Sequence, residues 1–102
     1  MKRIIDGKRF DTETADWVAE FRGGAGRTDF RYWKASLYRT PRGRWFLSGE
    51  GGGMSMFAEH VPGGGSRGGS GLIPIPATEA RRYLEDDGAV DELEQWFAIE
   101  EA

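Results

Sequence analysis

The chain predicts an α+β domain: a small antiparallel sheet of about three to five strands, with two hairpins, packed by one N-terminal and two C-terminal helices. Three observations carry that expectation. Two short β-rich runs, "KRII" and "KRF", are joined by Asp6-Gly7, and two longer ones, "DFRYWKASLYRT" and "RWFLSG", by a turn around Pro41 and Gly43. The last quarter, "ATEARRYLEDDGAVDELEQWFAIEEA", repeats apolar residues at helical spacing on both sides of Gly88. Strands followed by helices, without regular βα alternation, give a mixed and not a parallel-sheet class.

Each element has a local reason. Asp6-Gly7 supplies two positive-φ positions for a type I′ turn, whose twist matches the strands it joins. "DTETADWVAEF" reads as the N-terminal helix, with Asp11 or Thr12 as N-cap, Trp17, Val18 and Phe21 on one face, and Gly23-Gly24 as its end. In the second hairpin Pro41 presets φ and Gly43 takes the left-handed position. "MSMFAEH" offers one helical turn inside a glycine-rich stretch, and residues 61–71 read as a flexible Gly/Ser connector. "LIPIP" reads as a last strand, which Pro74, lacking a ladder donor, places at a sheet edge or keeps short. Thr78 is the expected N-cap of the next helix, which presents Ala80, Tyr83 and Leu84 inward and stops at Gly88. A second helix follows, with Val90, Leu93, Trp96 and Phe97 on one face and Ile99 near its polar side.

At 102 residues the chain is expected to form one domain, 1–102, burying about two-thirds of its unfolded surface. Four Trp, six Phe and three Tyr supply the apolar bulk for one core. The absence of cysteine removes disulfide, thiolate-metal and Cys-nucleophile chemistry and suits a reducing compartment. No apolar run reaches a membrane-span length, and "MKRIIDGKRF" lacks the apolar core of a signal peptide, so a cytoplasmic location is expected.

"VPGGGSRGGSG" contains a literal G-x-G-x-x-G at Gly63, Gly65 and Gly68. A pyrophosphate site needs those glycines after a strand and opening a helix, so that the helix N-terminus meets the anion. Here Val61-Pro62 precedes them and "LIPI" follows. The order of elements is wrong, and no cofactor is expected. The single histidine, His60, has Glu59 beside it and Ser55 five residues earlier, which matches no nucleophile–base–orienter spacing. No enzyme and no metal site are expected.

Charge is distributed unevenly. Residues 1–78 hold 12 Lys/Arg against 8 Asp/Glu, whereas residues 79–102 hold 9 Asp/Glu against Arg81 and Arg82. The basic part interleaves Arg22, Arg27, Arg31, Lys34, Arg39, Arg42 and Arg44 with aromatics. That mixture suits single-stranded nucleic acid, with Trp33 and Trp45 as stacking platforms and Arg39, Arg42 and Arg44 on phosphates. It equally suits strands with rings inward and guanidinium groups outward. In the acidic part, Arg81 and Arg82 are spaced to pair at i+4 with Glu85 and Asp86. Asp87, Asp91, Glu92, Glu94, Glu100 and Glu101 have no local partner, and such a surface either solvates the fold or occupies a cationic groove.

"MKRIIDGKRFDTETA", "DFRYWKASLYRTPRGRWFLSGEGG" with the following "MS", and "IPIPATEARRYLEDD" together resemble a family of short phage and mobile-element proteins. Its members share a "RIIDGKRYDTETA"-like opening, a "LYRT…G.WFLHGEGG" hairpin and an "IIPL…EA…WLEE" ending. The likeness covers most of the chain outside 61–71, with Ser48 standing where that hairpin has His. The family is similar to anti-CRISPR proteins, in particular inhibitors of type I-C systems. The resemblance implies inhibition of a CRISPR effector (Cascade) complex by direct binding in the bacterial host cytoplasm. Charge then selects the partner-binding residues as Asp86, Asp87, Asp91, Glu92, Glu94, Glu100 and Glu101, imitating a nucleic-acid backbone. On that reading the protein is expected to act as a monomer on an effector subunit and to touch no nucleic acid itself. The alternatives are the nucleic-acid module already described and an adaptor with an unrelated protein partner.

Overall fold

The computed structural model describes residues 1–24, 26 and 28–102; Ala25 and Arg27, the latter one of the interleaved basic residues, lie outside the described residues. The chain is α+β. Strands β1 (Lys2–Ile5) and β2 (Lys8–Asp11) form an antiparallel hairpin. Strands β3 (Asp16–Gly23), β4 (Trp33–Arg39), β5 (Trp45–Gly51) and β8 (Gly69–Ile75) form the main sheet in the order β3-β4-β5-β8, all antiparallel. Two-residue strands β6 (Glu59–His60) and β7 (Ser66–Arg67) pair between β5 and β8. Helices α1 (Ala77–Asp86) and α2 (Val90–Trp96) close the chain.

Both hairpin turns form as their residues dictate. Asp6 at φ 52° and Gly7 at φ 73° make the I′ turn. In the second, the Gly43 N–H donates to the Thr40 carbonyl at 2.9 Å and Gly43 takes φ 85°. The Arg44 N–H donates to Thr40 Oγ1 at 3.0 Å, so a side chain completes the turn.

The N-terminal helix does not form; Asp16–Gly23 is strand β3 instead. Asp11 and its neighbours do start a turn, with the Glu13 N–H on Asp11 Oδ1 at 2.9 Å and the Ala15 N–H on the Asp11 carbonyl at 3.1 Å. The turn stops after one cycle because β4 offers the segment a full ladder from Asp16↔Arg39 to Gly23↔Trp33. A bulge between Trp17 and Ala19 sends Val18 and Ala19 both inward, followed by Phe21. Burial at 18, 19 and 21 breaks the period of two and copies helical spacing, which is why the pattern misleads.

The sheet has two unlike faces. One carries Ala19, Leu37, Leu47 and Ile73 in a single row across the strands, with Phe21 and Ala35 in the next, and packs under Ala80 and Leu84 of α1. The other carries Tyr38 and Phe46, covered by the N-terminal hairpin through Phe10, whose ring meets Phe46 edge-on at 5.7 Å. Beyond the hairpin this second face turns polar, with Ser36 and Ser48 in one row and Arg22, Lys34, Glu50 and Ser70 in the next. Lys34 there holds Glu20 at 3.1 Å, a half-exposed pair worth about 0–1 kcal/mol.

The glycines around β5 and β8 are packing residues. The loop after β5 folds back over the sheet and inserts Phe57 into the helix-side core. A Cβ at Gly69 would sit 2.6 Å from the Phe57 carbonyl oxygen, so the loop seats only on a bare backbone. Gly69→Ala is therefore expected to cost about 1–3 kcal/mol by overpacking, lowering the melting temperature by roughly 4–8 °C per kcal/mol. An unchanged melting curve would remove this account of the glycines.

The stretch 61–71 is a turn and two strand segments. Gly63, Gly64 and Gly65 all take positive φ at the tip between β6 and β7, and β8 starts at Gly69, ahead of the expected "LIPIP". β8 is an edge strand, and that is where Pro74 was expected to lie. "MSMFAEH" forms turns and the start of β6, not a helical turn.

The C-terminal helices differ from expectation in detail. Pro76, not Thr78, is the N-cap of α1, and Thr78 sits inside the first turn. Its end is a Schellman turn: the Ala89 N–H reaches the Leu84 carbonyl at 2.9 Å and the Gly88 N–H the Glu85 carbonyl at 3.1 Å, with Gly88 at φ 69°. α2 stops at Trp96, because Phe97 is extended at φ −131° and ψ 154°. Val90 is 60% exposed and not inward, and Ile99 lies exposed in the tail beyond the helix. Neither helix is long and apolar enough to cross a membrane.

Candidate functional site

Residues 83–102 carry eight carboxylates and no Lys or Arg. The structure distributes them over three consecutive pieces: Glu85, Asp86 and Asp87 at the end of α1, Asp91, Glu92 and Glu94 on α2, and Glu100 and Glu101 in the tail. All are exposed except Glu92, which is half-buried. Asp91 and Glu94 are i,i+3 neighbours on the outer side of α2, while Glu92 projects toward its flank. Among the described residues none of the eight lies within 4 Å of a cationic nitrogen. The expected Arg81–Glu85 and Arg82–Asp86 pairs are accordingly not made. The result is an anionic surface without internal compensation, and its position is set by the Gly88 turn.

The acidic pieces are anchored from beneath by aromatics. Trp45, only 4% exposed, stacks on Phe97 at 5.2 Å and meets Trp96 edge-on at 6.2 Å. The Arg39 guanidinium lies 5.3 Å from the Trp96 ring and 5.9 Å from the Trp45 ring. One level up, Tyr83 stacks on Phe21 at 5.4 Å and abuts Trp33 at 6.0 Å. These contacts use the rings that the nucleic-acid alternative needs. Trp45 is buried, Trp33 is half-buried against Tyr83, and Arg39 is spent on two indoles, so no base can stack on Trp45. Arg42 and Arg44 stay exposed at the hairpin turn. Of the cations named for that alternative, Arg39 therefore lies on the Trp45 and Trp96 rings, while Arg44 lines one cavity together with Trp45.

Burial raises the Tyr83 hydroxyl above the usual tyrosine value of 10.0, and the nearby Glu79 carboxylate adds to the shift. The unfolded chain therefore releases this proton first as pH rises, and stability falls from about pH 10 up through the folded-state value. Tyr83→Phe is expected to flatten that alkaline loss while leaving neutral stability nearly unchanged. Alkaline unfolding followed by circular dichroism checks it, and identical pH profiles for both proteins would refute it.

Of Ser55, Glu59 and His60, the first two make side-chain contacts within the fold. Ser55 Oγ donates to the Gly52 carbonyl at 2.7 Å and accepts the Phe57 N–H at 3.2 Å, which shapes the loop that carries Phe57. Glu59 pairs with Arg67 at 3.2 Å across β6–β7, and His60 is exposed beside it. The G-x-G-x-x-G glycines lie at the β6–β7 tip and just before β8, with no helix to receive a phosphate.

A feature the sequence reading missed is the meeting of the two hairpin tips. Lys8 and Arg9 of β2 come beside Arg42 and Arg44, around a cavity of about 410 Å³ that also touches Thr14 and Thr40. The residues are more than 30 positions apart in the chain, so only the docking of the N-terminal hairpin on the sheet could reveal the grouping. No protein family, curated protein or solved structure matches this chain.

Proposed function

We propose that the protein is a non-enzymatic inhibitor that binds a type I, in particular type I-C, CRISPR effector complex. Its acidic C-terminal surface occupies a cationic nucleic-acid site there and blocks capture of target DNA. The observation that carries the reading is the run of eight carboxylates, seven of them exposed, with no cation within ion-pair distance among the described residues. Such uncompensated charge costs the isolated fold self-repulsion and is relieved in a positively charged channel. RNA-guided effectors hold nucleic acid in channels of that kind. The resemblance of the two hairpin segments and the "IPIPATEARRYLEDD" ending to anti-CRISPR proteins names the class of target.

The test immobilises a purified type I-C effector complex and measures binding of this protein without DNA. Capture of target DNA by the loaded complex is then measured. Binding that weakens as salt rises, together with lost DNA capture, is the expected result. Absence of binding, or full DNA capture by the loaded complex, would overturn the reading and leave the adaptor alternative.

A further inference from the structure

We infer that the groove between the two hairpin tips is a second, cationic site that binds the phosphodiester backbone of nucleic acid without reading its bases. It stands on residues other than the acidic surface, does not depend on the proposed inhibition, and departs from the expectation that the protein touches no nucleic acid itself. Lys8 and Arg9 from the first hairpin and Arg42 and Arg44 from the second line the cavity of about 410 Å³. All four side chains are exposed, and among the described residues none has a carboxylate within 4 Å. Among the described residues no acidic one lines this cavity; Asp6 and Glu13 are its nearest acidic neighbours in sequence, beside Gly7 and Thr14. A second cavity of about 480 Å³ shares Lys8 and Arg44 and extends the groove along β8 to Pro76, with Asp6 at its edge.

Four unpaired like charges brought together by tertiary packing repel one another, and an anion removes that repulsion. The shape selects a strand of phosphates over other anions. The cations are long, mobile side chains on two separate tips, and they track an extended backbone instead of chelating one small ion. A recess between two projecting turns also fits a rod better than a flat headgroup layer. Hydroxyl groups of Thr14 and Thr40 border the recess, although Thr40 Oγ1 already accepts the Arg44 N–H at 3.0 Å. Trp45 borders the second cavity but is 4% exposed and stacked under Phe97, so it offers no open ring face to a base. Recognition by phosphates alone follows, with duplex and single strand bound alike.

The experiment is fluorescence anisotropy of a short labelled DNA duplex and of its single strand, titrated with the full chain. Both are expected to bind, with affinity falling on the order of a hundredfold between about 50 and about 200 mM monovalent salt for four phosphate contacts. The double variant Arg9→Glu/Arg42→Glu is expected to abolish binding, with circular dichroism confirming the fold of these exposed positions. The milder Arg9→Gln and Arg42→Gln variants are each expected to lower the salt slope by about one. Arg81→Glu/Arg82→Glu, on α1, is the control and should leave binding intact. No binding at low salt, binding that survives Arg9→Glu/Arg42→Glu, or binding restricted to the single strand would each overturn the inference. Displacement of the duplex by pyrophosphate at concentrations comparable to the DNA would overturn it too, marking a small-anion site.

Discussion

Trp45→Ala is expected to cost about 3–5 kcal/mol, roughly a third to a half of a typical domain stability of about 10 kcal/mol. Trp45 is the common contact of Phe97, Trp96 and Arg39, so its removal empties the base of the C-terminal unit. α2 has only seven residues, none fully buried, and a helix that short does not persist in water on its own. The loss should therefore be local as well as global. Amide exchange in 90–97 should accelerate beyond the rest of the chain, and proteolysis should begin in the tail. Trp45→Phe keeps part of the stack and should fall between. Val90→Ser is the contrasting variant: at 60% exposure it should change stability by less than about 0.5 kcal/mol. If Trp45→Ala melts like the parent and keeps α2 protected, the aromatic anchor is not what holds the acidic surface in place.

On the inhibitor reading proposed above, reversing the exposed carboxylates Asp87, Asp91, Glu94 and Glu100 to Lys is expected to weaken effector inhibition by at least about a hundredfold. Close charge pairs across an interface couple by roughly 1.5–7 kcal/mol, and four reversals turn attraction into repulsion. Glu92 is left unchanged because it is half-buried beside the core-facing side of α2. None of the four makes an ion pair within the described residues, so the fold should tolerate the change. The readout is the concentration of protein that halves DNA capture by the effector, measured at low and at moderate salt. Retained potency in a folded variant would place the interface elsewhere, on the basic groove or on Phe30 and Met54, which are apolar and exposed.

The acidic surface was legible in the chain because its residues are contiguous: eight carboxylates within 85–101 remain neighbours however the helices pack. The break between α1 and α2 was legible for the same local reason, since Gly88 alone satisfies the left-handed turn there. The ion pairs foreseen for Arg81 and Arg82 failed because i+4 spacing permits a contact between exposed side chains without enforcing it.

Local chemistry by itself determined the two hairpin turns, the two C-terminal helices and the acidic end. In each, the deciding atoms lie within about five residues of one another, as in the i+3 and i+4 bonds of turns and caps. Only the tertiary structure decided that Asp16–Gly23 is a strand, because its hydrogen-bond partners lie on β4, beyond a connecting loop. The bulge at Trp17/Ala19 hid that strand by placing two successive residues inward. The burial of Trp45 and the grouping of Lys8, Arg9, Arg42 and Arg44 were decided the same way. Each depends on which sheet face a distant segment covers, and that choice is made by packing the whole core, not by any single stretch of chain.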